Sequence, residues 1–330
     1  MRYSKGEAKS WAREKLTGQW TTMVTPFTLD DEMDENGLAK NIEHVISLGT
    51  KGLGFSWNMG EFWSLTPAER ISLLEIVPRM IGKRALKAFQ VTDTCLKDVI
   101  YYCSKLEDND YDLAILAPPY MMCRTEEQVI DWTSRVAAST NIGIAFYNSP
   151  QFGITLSAKS LSKLADIPNV VAIKEASFNM QLSIDTHLEV GKKVVVSTPD
   201  EEIFFYEPHY GFHQQVMFAN TSDWRFDSKV RHDYVSYIEL ATRGELERAA
   251  ELYKKIWPLK QVSRRWWARV AGRTGGALPV QMVKYWGELM GMSGGHVRQP
   301  LLPLTLEEKA GLRQDLGKIG LIQQEELPAR

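Results

Sequence analysis

The chain has 330 residues, 44% of them hydrophobic and 24% charged, a globular composition long enough to bury a large core. A formal net charge of −2 leaves no basic field to recruit nucleic acid or an anionic membrane, and no apolar stretch approaches the ~20 residues of a membrane span. Cys95, Cys103 and Cys123 are odd in number and lack CxxC spacing, which suggests neither a disulfide framework nor a zinc site and fits a reducing, cytoplasmic compartment.

The first residues, Met1 to Lys15, are polar, without the apolar core of a secretory signal. Ser4 to Leu16 suits a short helix. From there apolar runs suited to strands alternate with helical patterns. The runs cover 20–24, 53–57, 85–91, 113–117, 142–147, 170–174, 194–197 and 215–218. Helical patterns between them include 38–48, 67–81, 126–138 and 158–165. Thr66-Pro67-Ala68-Glu69 is a capping box with proline in the first turn, and Thr125 precedes Glu126 and Glu127 in the same manner. Eight βα units in succession predict a closed parallel (β/α)8 TIM barrel, an architecture of roughly 250 residues.

After Phe218 the pattern is purely helical, over 228–242, 245–271, 279–290 and 305–319. The division expected is a helical segment at 1–17, the barrel at 18–242 and a C-terminal helical extension at 243–330, its tail from Gln323 to Arg330 frayed. Arg264, Arg265, Arg269 and Arg273 share a helix with Trp266 and Trp267, which reads as a solvated or inter-subunit face rather than an RNA-binding one. His209 and His213 have i, i+4 spacing, but Gly211 interrupts the segment. No metal-ligand spacing emerges, and no cofactor is called for.

Active sites of such barrels lie where the strands end. The sixth run, Val170-Val171-Ala172-Ile173, ends in Lys174, and the fifth ends in Tyr147-Asn148-Ser149-Pro150. An ammonium at an apolar strand end is costly to desolvate. Its plain readings are a lysine reaching solvent or pairing with Glu175. If the two strands are neighbours, Tyr147 and Lys174 emerge together, a phenol beside a carbonyl nucleophile. Lowering an ordinary lysine pKa of ~10.4 to about 7 costs roughly 4.6 kcal/mol, a shift that burial supplies. The second run ends in Trp57-Asn58-Met59-Gly60-Glu61 at the same opening.

At these residues the chain resembles the dihydrodipicolinate synthase/N-acetylneuraminate lyase family of class I aldolases. The resemblance is carried by Tyr147-Asn148-x-Pro150, Ile173-Lys174-Glu175-Ala176-Ser177, Thr25-Pro26-Phe27, Gly60-Glu61 and Val297-Arg298-x-Pro300-Leu301, and runs from about Gly18 to Leu316. It implies that Lys174 forms a Schiff base with the keto group of pyruvate. It further implies that Tyr147 shuttles protons and that the loop after the second strand holds the pyruvate carboxylate. Family members are commonly homotetramers, so a homo-oligomer is expected.

The departures narrow the substrate. Where the family shows Gly-Thr-Thr-Gly-Glu, this chain has Trp57-Asn58-Met59-Gly60-Glu61. Asn58 passes a proton less readily than a hydroxyl, and Met59 cannot hydrogen-bond a carboxylate through its side chain. Tyr120 is followed by Met121, where the synthases place the tyrosine that crosses into the neighbouring subunit's site. Phe152 stands where the synthases hold a substrate carboxylate with arginine, which argues against dihydrodipicolinate synthesis. Glu61 is read as bonded within its own loop, a poorer base than Tyr147, and Arg298 as structural.

The expected function is therefore a Schiff-base lyase or aldolase on pyruvate or a related 2-oxo acid. Lys174 and Tyr147 are the expected catalytic residues, and Asn58 and Met59 the carboxylate site. Phe152, Trp224, Gln215 and Tyr120 are the expected contacts to the variable half, with Trp57 and Trp63 also near the mouth. An aromatic-rich mouth suits an aromatic or apolar aldehyde partner and hydratase-aldolase chemistry. Cleavage of a 2-keto-3-deoxy sugar acid or sialic acid, with Gln215 facing hydroxyls, is the alternative. A barrel that binds a 2-oxo acid without turnover is the alternative of another class.

Overall fold

Why the chain closes on itself is visible in its registers. The computed structural model describes residues 2–323; of the expected frayed tail, residues 324–330 lie outside them. Eight strands run parallel: β1 (Gly18–Thr22), β2 (Gly52–Phe55), β3 (Leu86–Gln90), β4 (Leu113–Leu116), β5 (Gly143–Asn148), β6 (Val170–Glu175), β7 (Val195–Ser197) and β8 (Val216–Asn220). Consecutive strands from β1 to β7 pair in turn and β1 pairs with β8, which leaves one open seam. The seam between β7 and β8 is bridged by a side chain, the Phe218 N–H donating to Ser197 Oγ at 2.8 Å. The molecule is a (β/α)8 barrel with C-terminal helices.

The helices are α1 (Ala8–Lys15), α2 (Glu35–Ser47), α3 (Pro67–Ile81), α4 (Leu96–Asp108), α5 (Glu126–Ala138), α6 (Ala158–Leu164), α7 (Met180–Val190), α8 (Glu207–Tyr210), α9 (Ser222–Phe226), α10 (Asp233–Ala241), α11 (Leu246–Arg273), α12 (Val280–Leu289) and α13 (Leu306–Lys318). Several start where the sequence signals a start. Thr66 Oγ1 accepts from the Glu69 N–H while the Glu69 carboxylate accepts from the Thr66 N–H, and Thr125 with Gln128 repeats the device.

Aromatic rings fill the barrel where β2 offers glycine. A Cβ at Gly52 would lie 2.4 Å from the Trp20 ring, and one at Gly54 would lie 2.9 Å from the Trp57 ring. Small residues on other strands, Ala88 and Ala145, are part of the same interior cluster. The two indoles thus occupy volume that β2 vacates, and Trp57 is held at the mouth.

The N-terminal segment closes the opposite end. Tyr3, Trp11 and Leu16 are buried in the barrel's interior cluster. The Tyr3 hydroxyl accepts from the Gly143 N–H at 2.9 Å, beneath β5. Lys5 Nζ and Lys9 Nζ each donate at 2.6 Å to carbonyls near helix C-termini, those of Ala137 and Ala165. Cations there oppose the negative ends of α5 and α6. Removing residues 2–17 is expected to destabilise the barrel by roughly 5 kcal/mol or more, three large apolar side chains being worth about 1.5–3 each. Equilibrium denaturation of the truncated chain checks this.

Candidate active site

Lys174 does not reach solvent, and it does not pair with Glu175. It is 5% exposed, and its Nζ donates to the Ala219 carbonyl of β8 at 2.6 Å. Ala219 adopts a left-handed backbone (φ 60°), uncommon for a residue with a Cβ. The irregularity falls where the β1–β8 register shifts, between Gln19 and Thr21 on β1. Glu175 is taken up elsewhere, accepting from Asn148 Nδ2 at 2.6 Å and from the Ser177 N–H at 2.9 Å.

The lysine lies between two rings, its Nζ 4.4 Å from the Trp57 centroid and 4.6 Å from that of Tyr147. Tyr147 pairs with Lys174 in the β5–β6 register, which places both at one height on adjacent strands. Burial without a carboxylate pushes the Lys174 amine down to about 7. Burial likewise pushes the Tyr147 phenol up to about 12, against a hydrogen bond with Ser149 that lowers it. At neutral pH a large share of the amine is therefore unprotonated, while the phenol keeps its proton.

These groups line a cavity of about 470 Å³ at the C-terminal mouth of the barrel. Asn58 and Met59 line it too, in a 3-10 turn, Asn58–Gly60, at the end of β2. The N–H groups opening such a turn have no partner within it. Asn58 Nδ2 donates to Gln151 Oε1, and its Oδ1 is buried without a partner among the described residues. Asn58 was expected at the carboxylate site, in place of a relay hydroxyl; its side chain bonds Gln151, a residue not among the expected contacts.

Behind the turn, Glu61 is fully buried with φ 55°. It does not bond only within its loop. Its Oε1 pairs with Lys284 Nζ of α12 at 2.5 Å, and its Oε2 accepts from the Arg298 N–H at 3.0 Å. Arg298 also bonds Glu69 and the Ser64 carbonyl, at 2.7 and 3.1 Å. The C-terminal extension thereby clamps the loop carrying Asn58 and Met59.

Five residues expected near the mouth do not line the cavity. Gln215 precedes β8 and sits at the opposite end, its Nε2 bonded to the carbonyls of Arg13 and Leu16 at 2.7 and 2.8 Å. A residue entering a parallel strand cannot face the mouth where that strand ends, so its assignment to substrate hydroxyls is corrected. Trp224 is fully buried in the core, its Nε1 donating to the Thr22 carbonyl at 3.3 Å. Phe152 packs edge-on behind Tyr147, 5.5 Å between centroids, and supports that ring. Tyr120 stands by Phe62, 6.1 Å between ring centroids, partly buried against the interior cluster. Trp63 is half-exposed beside the same ring, 5.6 Å from it.

The far wall comes instead from α7, α9, α11 and the segments just before α7 and α12. Phe178, Met180, Trp267 and Leu278 give it apolar surface, and Arg225, Lys260, Ser263 and Arg264 give it polar surface. The helix read as a solvated or inter-subunit face is thus divided. Arg264 and Trp267 turn to the cavity, while Arg265 and Trp266 both bond Asp315 of α13, at 3.1 and 3.0 Å.

With this geometry in view, comparison with known proteins is decisive. The model of the dihydrodipicolinate synthetase family matches residues 15–319. The chain belongs to that family. Its members are class I aldolases and lyases that join a lysine to pyruvate as a Schiff base, and the chain is such an enzyme. It is 27% identical to 4-hydroxy-tetrahydrodipicolinate synthase 1 of Halalkalibacterium halodurans, over 88% of this chain and 93% of that one. It is 26% identical to the 4-hydroxy-tetrahydrodipicolinate synthase of Moorella thermoacetica, over 92% of this chain and 100% of that one. In fold it is similar to a prophage protein of the dihydrodipicolinic acid synthase family from E. coli K12, solved in complex with pyruvate. That likeness has a TM-score of 0.80 at 21% identity and covers 92% of this chain and 99% of that one. No helix among the described residues is long and apolar enough to cross a membrane.

Proposed function

We propose that the protein makes or breaks a carbon–carbon bond next to the keto carbon of pyruvate or a related 2-oxo acid, with Lys174 as nucleophile. The observation that carries this reading is the buried amine of Lys174, without a carboxylate partner among the described residues and lying between Trp57 and Tyr147. The unprotonated Nζ adds to the keto carbon, and the carbinolamine loses its oxygen as water. The resulting iminium draws electrons from the adjacent carbon. Loss of a proton or scission of the neighbouring C–C bond then leaves a neutral enamine, which adds to an aldehyde in the reverse direction.

Tyr147 delivers and recovers these protons. A phenol held protonated at neutral pH donates first and is recharged afterwards. The 2-oxo acid carboxylate lies against the Asn58 and Met59 N–H groups. The remaining half of the substrate lies between the apolar surface of Phe178, Met180, Trp267 and Leu278 and the polar wall on α9 and α11. An amphipathic aldehyde, aromatic or aliphatic, suits this wall better than a polyhydroxylated sugar acid, since Gln215 is remote from it.

Borohydride reduction in the presence of pyruvate tests the reading. A reduced adduct is expected on Lys174 in the peptide map, and Tyr147→Phe should form it more slowly, by about 10²-fold or more. An intact protein without adduct, or an adduct on another lysine, overturns the assignment.

A further inference from the structure

Arg225 is the group on the cavity wall that the pyruvate chemistry leaves unused. It is 4% exposed and lies on α9, just past β8. Its Nε donates to the carbonyl and hydroxyl of Thr221 at 3.1 and 3.0 Å. Nη1 donates to Ser263 Oγ at 2.7 Å, and Nη2 makes a long bond to Ser222 Oγ at 3.5 Å. A guanidinium has five N–H groups, so one on each terminal nitrogen is left without an acceptor among the described residues. The carboxylates along this wall are committed elsewhere. Glu201 pairs with Lys260 at 2.9 Å and accepts from Ser222 at 2.9 Å, while Glu202 pairs with Arg264 at 2.5 Å. Asp200 is 3.4 Å from Lys260. Arg225 itself is in no ion pair among the described residues; the Phe226 and Trp286 rings, 5.1 and 5.2 Å from its guanidinium carbon, and the charge of Glu201 offset only part of the cost of its burial.

We infer that Arg225 fixes substrate choice by receiving a carboxylate on the half of the substrate remote from the Schiff-base carbon. The inference rests on the reading of Lys174 given above. Lys174 Nζ bonds the Ala219 carbonyl and Arg225 Nε bonds that of Thr221. Those residues are two apart, so their Cα atoms are separated by at most about 7 Å. The turn after β5 offers Gln151 and Phe152 and no cation, which leaves the β8 side to supply one. A carboxylate at Arg225 takes up the two spare N–H groups in the forked geometry that guanidinium and carboxylate share.

The test uses borohydride trapping on Lys174 with matched pairs of 2-oxo acids. 2-Oxoglutarate is set against 2-oxopentanoate, 2-oxoadipate against 2-oxohexanoate, and 2-oxopimelate against 2-oxoheptanoate. In the unmodified protein at least one diacid is expected to half-saturate the adduct at a concentration about 10-fold or more below its partner. Arg225→Met should bring that ratio within about twofold. Arg225→Lys, which keeps the charge but loses the fork, should keep only part of it. Equal half-saturation for all three pairs in the unmodified protein overturns the inference, as does a preference that survives Arg225→Met. Pyruvate alone separates the two claims: trapping of pyruvate without any diacid preference removes the role of Arg225 and leaves Lys174 standing.

Discussion

Replacing Lys174 by alanine is expected to abolish Schiff-base turnover and, at pH 7, to raise thermal stability. The amine is buried and its pKa is lowered from 10.5 to about 7. Between these values the unfolded chain binds more protons than the folded one, so stability rises with pH across that window. Below pH 7 the lysine therefore costs the fold about 5 kcal/mol, and the cost is fully relieved only above about pH 10.5. Substitution by alanine removes that penalty but leaves a void, whereas Lys174→Met fills the space. The methionine variant should thus show the larger gain in Tm, and scanning calorimetry at pH 7 and pH 10 checks both sign and window. The same shift sets the activity profile. The rate of adduct formation should rise with pH to a midpoint near 7 and level off above it, because only the unprotonated amine attacks.

Lys284→Met is the second large effect, and it acts from outside the cavity. Lys284 and Glu61 are 1% and 0% exposed in their side chains and 2.5 Å apart. Burial lowers the lysine's pKa while the Glu61 carboxylate opposes it. Removing the ammonium strands a buried carboxylate, which is expected to destabilise the protein by about 3–5 kcal/mol. Glu61 directly follows the turn of Asn58 and Met59, so the half-saturating pyruvate concentration should rise as well. The double variant Glu61→Gln with Lys284→Met leaves no stranded charge and should recover part of the stability. Chemical denaturation of the two single variants and the double variant measures the coupling.

The barrel was legible because most strands are apolar runs closed by turn or capping residues, a local signal that needs no partner. The position of Lys174 and Tyr147 at the mouth was legible for a related reason: both end such runs, and parallel strands end on one face. Gln215 failed on the same rule, since it enters its strand and lies at the floor. Phe152 and Trp224 failed because short turns decide their direction. The 3-10 turn Pro150–Phe152 folds the phenyl ring behind Tyr147, and the short α9 sends Trp224 into the core while Arg225, the next residue, lines the cavity. Adjacent helical residues point about 100° apart, and the phase of a five-residue helix is not set by any apolar period. The clamp of Lys284 and Arg298 on Glu61 was hidden because its members are more than two hundred residues apart.

The central claim is an uncharged amine at the barrel mouth, and its titration is the most direct test. The initial rate of borohydride-trapped pyruvate adduct on Lys174, located by peptide mass, is measured from pH 5 to pH 10. One rise is expected, with its midpoint near 7. A midpoint near that of an ordinary lysine, or adducts scattered over surface lysines, would contradict it.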